Sequence, residues 1–135
     1  MDHHTFTARV ARLTGTAGDR TATLVAATLE TLAERLTGGE VLDLAAQLPR
    51  PLWAMLSPRP HTEAAERFGA AEFVARVACR ADSDENTARA AIRAVFATLR
   101  EAISGGEFSD VVVQLPRDYR DMVEPALAPA ATRRR

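Results

Sequence analysis

Two acidic pairs stand at matched places in the chain, Glu40 with Asp43 and Glu107 with Asp110. Residues three apart share one face of a helix, so each pair can hold a hard cation or share a proton. A local account competes with that chemistry. Acids in the first turn of a short helix interact with its exposed N–H groups by about 0.3–1 kcal/mol each, and this structural role is the favoured reading of all four. Arg9 and Arg76 recur in step and offer guanidinium partners. Both lie in apolar stripes where an unpaired buried charge would be costly, so matching bonds within each half are expected, to Asp43 and Asp110 or to Glu34 and Glu101. Gln47 and Gln114 each precede Leu-Pro, where a side-chain amide can position a ligand or, the favoured reading, bond carbonyls left unpaired at a helix end.

Arg89, Arg93 and Arg100 fall within about 40° of one another at roughly 100° per residue. They form one cationic helix face able to meet an anion or nucleic acid, or simply water. The matching residues 67 positions earlier are Ala22, Ala26 and Ala33. Alanine permits close helix approach, so that face is expected to be the more buried one. His3 and His4 lie near the chain start, and His61 stands alone among prolines. Cys79, whose counterpart is Arg12, reads as a small apolar filler. No metal-ligating set, no cofactor site and no catalytic residue is expected.

Composition narrows the chemistry further. The 135 residues contain 27 alanines and 17 basic residues, every one an arginine. Without lysine there is no internal Schiff base and no G-x-x-x-x-G-K-[ST] phosphate loop. The net charge of −1 weakens any account in which the whole surface neutralises phosphate. With one cysteine, no intramolecular disulfide forms and no multi-cysteine zinc site exists. G-x-S-x-G, H-E-x-x-H, C-x-x-C and G-x-G-x-x-G are all missing, which argues against an enzyme of those classes. No apolar leader core and no run approaching about 20 apolar residues is present. A cytoplasmic location and no membrane association are expected.

The elements that must place these residues come in two rounds. Phe6-Thr7-Ala8-Arg9-Val10-Ala11 matches Phe73-Val74-Ala75-Arg76-Val77-Ala78 at a spacing of 67 residues. Without a gap, Thr37-Gly38-Gly39-Glu40 then meets Ser104-Gly105-Gly106-Glu107, and Gln47-Leu48-Pro49-Arg50 meets Gln114-Leu115-Pro116-Arg117. Several unrelated residue types coinciding at one spacing imply an internal duplication. The expected fold is all-α, two tandem copies of a short helix, a long helix and two short helices, packed as one compact bundle. The first repeat spans 1–56, a proline-containing connector 57–69, the second repeat 70–123 and a flexible Pro/Ala/Arg tail 124–135.

Within each repeat, Phe6, Val10 and Leu13 make one apolar stripe and Phe73 with Val77 another. The long helices run over about 19–37, stopped by a left-handed Gly38, and 84–104, with Ser83 as N-cap. Val111-Val112-Val113 is strand-like in composition, yet its counterpart Leu44-Ala45-Ala46 favours helix, so both are read as helical.

This arrangement of F-x-x-R-V-A, a long Ala/Leu helix, G-G-E and D-L-x-x-Q-L-P, followed by a second round, resembles the bacterial family known as domain of unknown function 2267. The resemblance implies a small all-helical protein and carries no activity with it. A further likeness, of Thr98 to Pro116, is to the long helix and following strand of histone-like HU proteins, but no basic β-arm follows. The sequence therefore reads as a non-catalytic interaction or scaffold module with a protein partner or self-association. The alternative is a histone-like or regulatory nucleic-acid binder using Arg89, Arg93, Arg100 and the Arg133–Arg135 tail.

Overall fold

Short polar side chains mark where the helices begin. In the computed structural model, which describes residues 1–56 and 65–127, Asp2 accepts a hydrogen bond from Thr5 N at 2.8 Å and opens helix α1 (His3–Thr14). Gly15 ends it at φ 77°, a left-handed turn that costs glycine nothing. Helix α2 (Gly18–Arg35) follows, then α3 (Gly38–Ala46), opened by Thr37. A 3₁₀ turn η1 (Arg50–Leu52) leads into α4 (Trp53–Leu56). Pro49 stands just before it and cannot continue a helix ladder.

The second round follows the same order. Helices α5 (Ala70–Ala81), α6 (Glu85–Ala102) and α7 (Gly105–Val113) precede the 3₁₀ turn η2 (Arg117–Tyr119) and α8 (Arg120–Leu127). Each of these elements starts 67 residues after its counterpart. Among the described residues there is no strand. The chain is all-α, and Val111-Val112-Val113 lies inside α7 as expected.

The core sits among α1, α2, α5 and α6. Helix α1 packs on both α2 and α6, while α5 packs on both α6 and α2. Phe6, Val10, Leu29, Phe73, Ile92 and Phe96 are wholly buried there, each contributing about 1.5–3 kcal/mol. Buried hydroxyls on the long helices are satisfied locally. Thr28, Thr31 and Thr98 each donate to the carbonyl four residues back at 2.8 Å. Helix α4 covers α2, α8 covers α6, and α3 meets α7.

Several sequence expectations change. Leu13 is 53% exposed, and the buried face of α1 is Phe6 and Val10 alone. Gly38 is the first residue of α3, and α2 ends instead through an extended Leu36. The cap of α6 is Asp84, which accepts from Thr87 N at 2.6 Å, not Ser83. Cys79 is exposed, on the outer face of α5. The strand implied by the HU likeness is replaced by α7. Helix α8 continues through Leu127, past the expected start of the tail at 124. His61 and Arg133–Arg135 lie outside the described residues.

Candidate functional site

The crossing of α3 and α7 gathers most of the recurrent polar residues. At each N-terminus the cap hydroxyl takes the N–H of the glutamate three residues on: Thr37 Oγ1 from Glu40 at 3.3 Å, Ser104 Oγ from Glu107 at 3.1 Å. In an ordinary capping box that glutamate reaches back to the cap residue's own N–H. Here another side chain holds it. Gln114 Oε1 accepts from Thr37 N at 2.9 Å, and Gln47 Oε1 accepts from Ser104 N at 2.7 Å. The same amides donate to the cap hydroxyls, Gln114 to Thr37 at 3.2 Å and Gln47 to Ser104 at 3.3 Å. The expectation that these glutamines bond carbonyls at their own helix ends is therefore corrected. They cap the opposite half, where a donor needed an acceptor.

Released from the capping role, Glu40 and Glu107 turn inward. They are 8% and 7% exposed, and Oε2 of each is buried without a hydrogen-bond partner. Ligand oxygens of Glu40, Asp43 and Glu107 lie within 4.8 Å of one another. Asp43 and Asp110 themselves are exposed. Burial drives the Glu40 pKa well above the usual carboxylate range, a proton shared with Glu107 pushes it the same way, and the negative charges of Glu107, Asp110 and Asp43 add to the rise. The purely local reading of these acids is thus corrected for the glutamates, since burial between two helices replaces a solvated helix end.

The arginines also cross. Arg9 forms a two-pronged pair with Glu101, at 2.9 and 3.1 Å. Arg76 binds Glu34 at 2.8 Å, Glu66 at 3.1 Å and Glu72 at 3.0 Å. The expected partners Glu101 and Glu34 are correct, but they are exchanged between the halves, because α1 and α5 each lie against the other half's long helix. Burial opposes the Arg76 charge, and the hydrogen bonds it donates to Glu72, Glu34 and Glu66 outweigh that, raising its pKa. Its guanidinium also sits over the Phe68 ring, 3.9 Å from the centroid.

Two further arginines had no recurrence to reveal them. Arg80, whose counterpart is Leu13, binds Glu34 and donates to Thr31 at 2.8 Å. Arg20, whose counterpart is Thr87, donates to the carbonyls of Ala81 at 2.6 Å and Asp82 at 3.1 Å, closing the end of α5.

The alanine face does not behave as expected. Ala22 is exposed and Ala26 and Ala33 are only half-buried, much like Arg89, while Arg93 and Arg100 are exposed. Arg93 is not wholly committed to solvent, since it donates to Asp121 O on α8 at 3.3 Å. A cavity of about 220 Å³ lies beside α7 and α8, lined by Val112, Leu115, Tyr119 and Val123 with Arg117 and Arg120. It is smaller than most small-molecule pockets.

A family model described as an uncharacterized conserved protein, DUF2267, matches residues 3–122. The chain belongs to the DUF2267 family. The match takes in every helix that builds the DUF2267 crossing of α3 and α7, together with both arginine–glutamate exchanges. A comparison with curated proteins finds no match.

Proposed function

We propose that this chain is two copies of one helical unit, folded into a non-catalytic interaction or scaffold module that binds a protein partner or a second copy of itself. One observation carries the reading. The recurring arginines and glutamines are engaged in bonds between the halves: Arg9 with Glu101 and Arg76 with Glu34, Gln47 with Ser104 and Gln114 with Thr37. Adding 67 to one member of each bond and subtracting it from the other turns one bond into its counterpart. Reciprocal contacts of this kind belong to an isologous two-fold interface. Their chemistry serves cohesion, and the outer faces are left to vary.

A cytoplasmic location is part of this reading. It is supported by the lone exposed Cys79, which a reducing compartment keeps as a thiol. Among the described residues, no helix is long and apolar enough to cross a membrane.

Affinity capture with and without nuclease, followed by titration of the purified partner, tests the proposal. A partner retained after nuclease, with binding unchanged in the R89A/R93A/R100A variant, is the expected result. Nuclease-sensitive capture, with DNA affinity that falls steeply with salt and is lost in the triple variant, would replace it with the nucleic-acid reading.

A further inference from the structure

We propose that the acidic crossing of α3 and α7 is a binding site for a hard divalent cation, held by Glu40, Asp43 and Glu107. The inference does not depend on the proposed function. It starts from geometry: one ligand oxygen from each of the three carboxylates falls within 4.8 Å of the other two. Calcium binds oxygen at about 2.3–2.6 Å and magnesium at about 2.0–2.1 Å. Small side-chain movements bring three oxygens within this limit onto one calcium ion, and magnesium requires a tighter closure. The donors are oxygen only, which selects ions of the magnesium, calcium and manganese class over softer metals.

The second observation is independent of the clustering. Glu40 and Glu107 are more than nine-tenths buried, and Oε2 of each lacks any hydrogen-bond partner. Buried carboxylate oxygens are ordinarily satisfied, and leaving one without a donor is costly. Among the described residues no arginine pairs with Glu40, Asp43, Glu107 or Asp110, although arginine is the protein's only strongly basic side chain. One proton shared by the two glutamates would serve both orphan oxygens but leave the negative charge of Asp43 beside them uncompensated. A cation satisfies all three carboxylates.

The path and the scaffold agree with this role. Asp43 is exposed, so an ion can reach the site from solvent and keep water on its open side. Gln47 and Gln114 hold the N–H groups of Ser104 and Thr37, which keeps both glutamates from folding back onto their own helix ends. The two glutamines act as positioning residues.

Chelator-treated full-length chain, titrated separately with CaCl₂, MgCl₂ and MnCl₂ by calorimetry and thermal melting, provides the test. NaCl at matched ionic strength is the control. At least one of the three ions is expected to raise the Tm saturably, beyond the NaCl effect, with a stoichiometry near one. The E40Q/E107Q variant is expected to weaken that binding at least tenfold with an unchanged helical circular dichroism spectrum. D43N, at an exposed position, is expected to weaken it at least threefold and keeps the test decisive if the double variant fails to fold. Failure of all three ions to exceed the NaCl control overturns the proposal. So does binding that is unchanged in D43N.

Discussion

The two exchanged ion pairs have the same chemistry in different surroundings. At one, Glu34 has a side chain only 4% exposed, met by Arg76 and Arg80, with Glu66 and Phe68 closing over Arg76. At the other, Arg9 and Glu101 are 36% and 43% exposed. The difference arises from two places. Arg80 stands where the first half has Leu13, and the segment before α5 returns to α2, with Glu66 N donating to Glu34 O at 2.9 Å. A recurring residue pair therefore has no fixed energetic value. Burial decides whether removing one partner strands a charge or merely returns it to water.

The largest expected effect comes from Glu34→Ala. It leaves Arg80 without its carboxylate and Arg76 with only Glu66 and Glu72, and it should cost about 2–3 kcal/mol in urea unfolding, somewhat below the ~3–5 typical of a fully buried pair. If Glu34→Ala costs no more than Glu101→Ala, the contrast between the two pairs fails.

The buried glutamates sharpen the contrast with a case in which no counter-charge is supplied. In chelator, the folded-state pKa of Glu40 is raised from 4.5 to about 8, so between these values the folded protein holds a proton that the unfolded chain releases. The stability from this group is fully present below pH 4.5 and is lost as pH rises through about 8. The Tm of the wild type should fall by several degrees across that window, and Glu40→Gln should flatten the slope. A Tm that rises steadily from pH 5 to pH 8, with the same slope in the variant, contradicts this.

Glutamine exchange should be intermediate. Gln114→Ala and Gln47→Ala each remove an acceptor from a helix-start N–H, and because Thr37 and Ser104 are exposed, water replaces part of the loss, leaving about 0.5–1 kcal/mol each. Equal costs for the two would show that the exchange is balanced at this point, unlike the arginine pairs. The smallest effect is expected at the exposed pair. Glu101→Ala should cost below about 1 kcal/mol, and most of that should vanish in 1 M NaCl. A salt-insensitive loss would place Arg9 in a drier environment than its exposure implies.

Much of the fold could be read from periodicity and recurrence. Phe6, Val10, Phe73 and Val77 face the core, and even Val111-Val112-Val113 follows its helical counterpart. What could not be read was the side of the molecule on which a partner stands. The spacing of Arg9 to Glu34 and of Arg76 to Glu101 is the same within each half, so one sequence pattern serves both a closed and an exchanged arrangement. Packing of α1 against α6 and α5 against α2 selects the second. The same ambiguity hid the site at α3 and α7. The sequence places Glu40 and Glu107 in the first turn of a short helix, but only the arrival of a glutamine from the other half frees them to face each other. Arg20 and Arg80 have no counterparts, so recurrence could not mark them.

The start of α5 has an evolutionary consequence. Where α1 is capped by its own Asp2, α5 has Gly69, and its first N–H is taken by Asp118, which stands at the position of Pro51. A Cβ added at Gly69 would lie 2.5 Å from Asp118 Oδ2. Acquiring a cap at 69 first therefore crowds the existing one, and losing Asp118 first leaves the helix start bare. Only the paired change passes smoothly from one arrangement to the other. The two sites are epistatic: the cost of a change at 69 depends on what stands at 118.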